Sequence, residues 1–447
     1  MSPVLDVDEL SLRDRFPFAG LLRPIGGLME KVSVLTQEHT APAFEIGVTG
    51  LDNLTMTFPH ISTIYGTDAR DEFLGGAGAD PDPEQAWIRA VVEGAERYCC
   101  VVYDHDDFVV ASADEFGSAA LDLRTVPRCS DREYADPACP LRKPDPTVPI
   151  RWVLGYSLID RCERYVPAVM THLYINPRWG ENFWQPISTG VAAHTSLVTA
   201  LVSAICEVIE RDAITLTWLA RLPLPRIEVE PPFPRELATN YGRLAQSLVR
   251  QYFFDATTDL AVPTIYSVQI VEGHPKLAQY VNCATDFSAA AACAKTIREA
   301  APARAVFQVP REIHRDVADF QSLYEGAVYM GRAEQRAAFD FLLRGTARRP
   351  LAAVEIDAPQ DERWRLRFLI DRLKAIGTDA IAVDLTTDEV RDAGLWVVRV
   401  VVPGLLPMST IYRARFLGHP RLYTYPEQAG FGTRVEGDIN PAPQPFA

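Results

Sequence analysis

The chain holds 447 residues, 48 % of them hydrophobic and 23 % charged, with a formal net charge of −15. That composition excludes a fibrous or disordered chain, and the length suffices for a large core or two fused units. So acidic a chain needs a basic patch to hold nucleic acid; the arginines between Arg311 and Arg372 alternate with acids and apolar residues, so nucleic acid is not expected as a partner.

No apolar run approaches the ~20 residues that span a bilayer, and "WVVRVVVPGLL" is broken by Arg399 and Pro403. The opening "MSPVLDVDELSLRDRF" lacks the basic-then-apolar layout of a signal peptide. A cytoplasmic protein without a membrane partner is expected. The eight cysteines are scattered with no Cys-x-x-Cys pair, which suits reduced thiols better than a disulfide frame or a zinc site.

Residues 1–60 mix short apolar runs with turns. Asp82, Pro83 and Gln85 then signal a helix start: a carboxylate cap, a proline in the first turn and a third-position glutamine. Trp87, Ala90, Val91, Gly94, Ala95 and Tyr98 form its inward stripe, and Arg89, Glu93, Glu96 and Arg97 lie off it. Residues 128–149, polar and proline-rich, read as an irregular loop. "RWVLGYSL" and "YVPAVMTHLYI" read as strands.

A second helix is predicted from Thr195 or Ser196, with a stripe through Leu197, Leu201, Ala204, Ile205 and Val208. Thr199, Ser203, Glu207 and Glu210 share another of its faces. Strand-like runs recur at "TIYSVQIV" and "AQYVNCA". A third helix is predicted from about Ser288, with Lys295 and Glu299 one turn apart, stopped by Pro302. A helix near 361–376, the strand "AIAVDL", a short helix and the strand "LWVVRVVVPG" close the chain. This alternation argues for an α/β or α+β fold.

The second helix holds Glu207, Glu210 and Arg211; the first holds Glu93, Glu96 and Arg97 at a common offset of 114 residues (207 − 93 and 210 − 96). That offset is too long for a solenoid repeat and suggests two related halves. Either helix alone has the pattern of an exposed one-turn ion pair, worth ~0.3–0.5 kcal/mol. If the two helices face each other, four carboxylates converge. Like charges ~4 Å apart repel by about 4 kcal/mol at an effective dielectric near ~20, so such a cluster needs bound cations or raised pKa values. An all-oxygen set suits Mg²⁺, which usually bridges to substrate phosphates. Arg97 and Arg211 would then balance the acids or touch phosphate.

"GAGADPDPEQAWIRAVVEGAER", "STGVAAHTSLVTALVSAICEVIERDAITLTW", "VVVPGL" and the tail "NPAPQPFA" resemble the YcaO family, specifically its azole-forming cyclodehydratase D-protein (SagD-like) group, from about Tyr65 onward. The resemblance implies a YcaO fold of two pseudo-related halves, whose paired Glu-x-x-Glu-Arg helices flank a nucleotide site. It divides the chain into an extension (1–64), a YcaO domain (65–435) and a proline-rich tail (436–447) that reaches the active site. Mg²⁺ is implied at Glu93, Glu96, Glu207 and Glu210, and ATP contacts at Arg97, Thr195, Lys295, Glu299 and Arg304. Catalytic roles are implied for Glu93, Glu207, Arg211, Pro441, Pro443 and Pro445.

The sequence departs from the family pattern at Ala77 (lysine in many relatives), Arg89 (serine), Thr195 and Thr199 (Asn and Glu), Lys295 (Arg) and Pro302 (Gln). Lysine brings charge without a two-pronged donor.

The implied activity is ATP-dependent conversion of Cys, Ser or Thr in a ribosomal precursor peptide to thiazoline or oxazoline. Implied partners are that precursor, a separate leader-binding protein resembling ubiquitin-activating enzymes, for which the first 60 residues leave no room, and a flavin-dependent dehydrogenase. A homodimer is expected. Thioamide or macroamidine formation, and a catalytically silent scaffold subunit, are the alternatives. Gly75-Gly76-Ala77-Gly78 lacks the ending of a P-loop, His194 has no evident partner as a base, and Cys99 and Cys100 read as core.

Overall fold

A computed structural model describes residues 4–23, 25–51, 54, 58, 60, 74–309 and 311–446. The expected boundary between extension and domain, at residues 64 and 65, lies outside the described residues. In chain order the strands are β1 (Ser33–Val34), β2 (Glu45–Gly50), β3 (Gly75–Asp80), β4 (Val109–Ala111), β5 (Ile150–Ser157), β6 (Cys162–Pro167) and β7 (Val191–His194). Then come β8 (Arg226–Glu228), β9 (Arg250–Asp255), β10 (Thr264–Ile270), β11 (Gln279–Thr285), β12 (Arg348–Pro350), β13 (Ile381–Asp384) and β14 (Trp396–Val401).

They form three sheets, ordered β1-β2-β3, β11-β10-β9-β8-β12 and β4-β5-β13-β14-β7, the last with β6 on β5. Among the described residues every strand pair is antiparallel save β8 with β12. Of the two classes left open by the alternation, this is α+β. No helix among the described residues is long and apolar enough to cross a membrane.

Three helices position the site. In α1 (Pro83–Val101) the Asp82 carboxylate accepts from Glu84 N–H at 3.0 Å, and the expected stripe is buried. Strand β3 lies so close against α1 that a Cβ on Gly76 would stand 2.0 Å from the Ala90 carbonyl oxygen; on Gly78 it would stand 2.3 Å from that of Ala86. The glycines of "GGAGAD" are there for that approach, not for a phosphate cradle. Helix α2 (Leu197–Leu219) starts at Ser196, whose hydroxyl accepts from Thr199 N–H. Its stripe is buried except Leu197, which is exposed in the first turn.

Helix α3 (Ala289–Val306), capped by Ser288, runs through Pro302 instead of stopping there. Proline costs one backbone hydrogen bond, and burial outweighs it: Ala292, Cys293, Ile297, Ala300, Ala301 and Ala305 are all packed inside. The loop at 128–149 contains one helical turn, Asp131–Ala135, set by a Ser130–Glu133 capping box. The run from Tyr165 leaves its strand at Pro167 and turns over Ala168–Met170.

His172 is buried, its Nδ1 2.8 Å from the Thr171 hydroxyl. Burial, helped by the charge of Arg399, pulls it down to about 3. The unfolded chain therefore takes a proton below pH ~6.5 that the folded chain refuses, so this stability is present above that pH and lost as pH falls. Between pH ~7 and ~5 the wild type is expected to lose about 2 kcal/mol more than His172→Gln, measured by urea unfolding at each pH.

Candidate active site

The two Glu-x-x-Glu-Arg motifs are held alike. One oxygen of Glu93 accepts from the Ala77 N–H of β3 at 3.0 Å, and the other meets Arg97 Nη2 at 3.1 Å. One oxygen of Glu207 accepts from Gly190 N–H, just before β7, at 3.0 Å, and the other meets Arg211 Nη2 at 3.0 Å. Each first acid is thus clamped between the strand preceding its helix and an arginine one turn on. This repeated device gives the 114-residue offset a physical content.

The second acids differ. Glu210, 3 % exposed, meets Arg211 Nη1 at 2.7 Å, accepts from Thr285 N–H at 3.0 Å and lies 3.5 Å from Lys295 Nζ. Burial raises its carboxyl, with Lys295 and Arg211 opposing. Glu96 makes no ion pair among the described residues; Ala193 of β7 gives it a backbone hydrogen bond. Burial pushes Glu96 up to about 8, Arg97 opposes this, and the charges of Glu207 and Glu93 add to it. Helix α1 and helix α2 therefore meet across β7, with Glu93, Glu96 and Glu207 within reach of one another's fields.

A like-charge cluster whose central member is driven toward the neutral form is a place where a cation is stabilised. Among the described residues no group of three or more His, Cys, Asp or Glu side chains is gathered tightly enough to hold a metal. The donors present are carboxylate oxygens, the kind that suits Mg²⁺ completed by phosphate oxygens.

Around this cluster, Lys295 Nζ is also 3.9 Å from Glu299, and Arg298 contacts Glu299 and Glu236. Arg89 pairs with Asp80 at 3.3 Å and senses the charges of Arg298 and Glu299. Thr195 is exposed, its hydroxyl 3.5 Å from His194 Nδ1. Arg304 stands apart from the cluster: fully buried, it meets Glu38 through Nε and Nη2 at 3.1 and 2.8 Å. Cys99 and Cys100 are buried.

The tail folds back along the end of α2. Asn440 N–H donates to the Leu219 carbonyl at 2.8 Å, and Trp218 Nε1 donates to that of Ala442 at 3.2 Å. Pro441 is exposed while Pro443 and Pro445 are buried. The Phe446 ring lies 5.1 Å from the Arg211 guanidinium carbon. A cation over an aromatic face is worth ~0.5–2 kcal/mol, the more when dry. Phe446→Leu, which keeps the apolar bulk, is expected to weaken the hold of the tail on Arg211 about ten-fold with little change in melting temperature; hydrogen exchange of the tail amides and thermal melts check this.

Two contributors were not foreseen. Phe446 closes on Arg211, although only the prolines around it carry a sequence signal. Arg399, the lone charge of β14, is 3 % exposed and faces Glu207, Glu96 and Cys100.

An α+β core with paired acidic helices is the class these features define. The profile of the YcaO cyclodehydratases, described as ATP- and Mg²⁺-binding, matches residues 71–406, and the chain belongs to the YcaO family. A heterocyclase solved in complex with substrate and cofactor superposes with a TM-score of 0.79 at 21 % identity, covering 98 % of this chain and 57 % of that one. YcaO from Methanopyrus kandleri, bound with AMPPCP and Mg²⁺, gives 0.61 at 16 % identity, covering 89 % of each chain. An uncharacterised protein encoded in the tfuA 3′ region of Rhizobium leguminosarum bv. trifolii is 26 % identical over 196 residues, which are 43 % of this chain and 44 % of that protein. The chain thus spans about half the length of the heterocyclase and of the curated relative.

Proposed function

We propose that the protein is an ATP- and Mg²⁺-dependent cyclodehydratase that converts Cys, Ser or Thr of a ribosomally made precursor peptide to thiazoline or oxazoline. The observation that carries this reading is the meeting of Glu93, Glu96 and Glu207 across β7, with the tail laid on Arg211. Glu93, Glu96 and Glu207, with Glu210 behind them, are the residues that would hold Mg²⁺. When bound, Mg·ATP supplies the phosphoryl group that turns the former amide oxygen into a leaving group and screens its charge.

The chain's own residues position and neutralise. Arg211 bridges Glu207 and Glu210, fixing both carboxylates from one side. Lys295 and Arg97 place positive charge beside the acids, where phosphates would lie. The tail and α2 supply a dry wall on which a peptide can be held against the nucleotide, and such positioning is the larger share of phosphoryl-transfer catalysis. A leader-binding partner, a flavin-dependent dehydrogenase and a homodimer belong to the same proposal, on the resemblance to the azole-forming group.

The test is to incubate the protein with a precursor and its partner, ATP and Mg²⁺, and weigh the peptide. Loss of one water per modified Cys, Ser or Thr is expected. Exchange of oxygen for sulfur would assign a thioamide-forming enzyme instead. An unchanged peptide, together with no nucleotide binding with or without partner, would assign a silent subunit.

A further inference from the structure

A recess of about 440 Å³, part of it open to solvent, lies between α2, the tail, the segment 409–415 and α4 (Leu323–Met330). Its apolar wall is made by Leu219, Phe320, Leu323, Ile411 and Pro443. The hydroxyls on the lining already donate inside the protein. Thr215 donates to the Pro407 carbonyl at 3.1 Å, Ser322 to Glu325 at 3.1 Å and Ser409 to the Ala414 carbonyl at 2.6 Å. Thr410 donates to Gln185 at 2.9 Å and Tyr412 to the Pro441 carbonyl at 2.5 Å. Arg415, the only charged residue on the lining among the described residues, donates from Nη1 to the Asn440 carbonyl at 2.7 Å and lies over the Tyr412 ring. Its Nε and the Gln444 side-chain oxygen are covered. The surface left to a ligand is chiefly carbon.

The recess continues the acidic site along α2. Thr215 follows Arg211 by four residues and Glu207 by eight, which is about 6 and about 12 Å along the helix axis. The tail makes the same link: Pro443 and Gln444 wall the recess, and Phe446 lies over Arg211. An extended chain advances ~3.3 Å per residue. A peptide laid along α2 with a carbonyl at the acids therefore brings to the recess a side chain about two to four residues away.

We propose that this recess is a specificity subsite for the peptide substrate, taking one apolar side chain of leucine or phenylalanine size near the residue that is cyclised. It rests on the cyclodehydratase function proposed above. An apolar side chain gains by leaving water for a carbon-lined space, and a lysine there would set a second cation beside Arg415.

The test is a set of precursors carrying Gly, Leu, Phe or Lys in turn at the second, third and fourth positions to either side of a modified residue. Each is incubated with the protein, its partner, ATP and Mg²⁺, and loss of water is followed by mass. At one of these positions Leu is expected to raise kcat/KM roughly ten-fold over Gly, and Lys to give no gain. Leu323→Trp, which fills the recess, is expected to bring that ratio toward one. Leu323→Ala, which widens it, is expected to move the preference from Leu to Phe, with thermal melts showing that each variant is folded. Equal kcat/KM for every precursor overturns the subsite and leaves the cyclodehydratase standing, and a preference that neither folded variant moves overturns its place in the recess. Loss of water from none of the precursors overturns the cyclodehydratase and the subsite with it.

Discussion

Glu207→Gln is expected to lower ATP-dependent turnover by roughly 10²–10³-fold, with melting shifted only slightly. The glutamine keeps the shape of the side chain and one acceptor oxygen, so either the Gly190 N–H or the Arg211 contact survives. What disappears is a full negative charge beside Glu96, in a half-buried cluster where charge is weakly screened. The cation that the cluster stabilises loses a hard oxygen ligand, and Arg211 keeps its charge pairing with Glu210. Product formation by mass spectrometry, with thermal melts as control, reads both expectations. Near-normal turnover would show that the cluster is an ion-pair network without a chemical role.

Gly76→Val is expected to abolish folding or to cost more than about 4 kcal/mol. A Cβ at Gly76 would meet the Ala90 oxygen at 2.0 Å, the Gly94 nitrogen at 2.4 Å and the Glu93 carbonyl carbon at 3.0 Å, all backbone atoms that no rotamer change moves aside. Relief requires β3 to part from α1. That separation would also withdraw the Ala77 N–H from Glu93, so fold and site fail together. Gly50→Ala is the control: nothing lies within 4 Å of its added Cβ, and its urea midpoint is expected to stay close to that of the wild type.

The helices were legible because their punctuation is local. Asp82, Ser196 and Ser288 each accept from a backbone N–H two or three residues on, and the stripes behind them are buried as the 3.6-residue period requires. The same logic failed at Pro302, where the local rule is real but the buried alanine face of α3 outweighs one missing hydrogen bond. The turn at Asp131–Ala135 shows the opposite error: "SDRE" is a capping box, masked by the prolines around it.

At the site, residue types were readable and their partners were not. The backbone donors of Ala77, Gly190 and Thr285 carry no mark in sequence; they become ligands of carboxylates only through chain geometry. Arg304 pairs with Glu38 at a separation of 266 residues, which no periodicity reports. Arg399 stood out only as a charge interrupting an apolar strand. Whether such a residue faces solvent or a buried acid depends on which sheet face is covered.

Calorimetry of nucleotide binding with and without Mg²⁺, on the wild type and on the Glu96→Gln/Glu207→Gln double variant, tests the pairing of the two acidic helices most directly. The wild type is expected to bind ATP only when Mg²⁺ is present and to show no comparable Mg²⁺ binding alone, and the double variant is expected to bind neither. Equal ATP affinity in both proteins, or ATP binding that survives removal of divalent ions, would contradict a metal held jointly by these carboxylates and the phosphates.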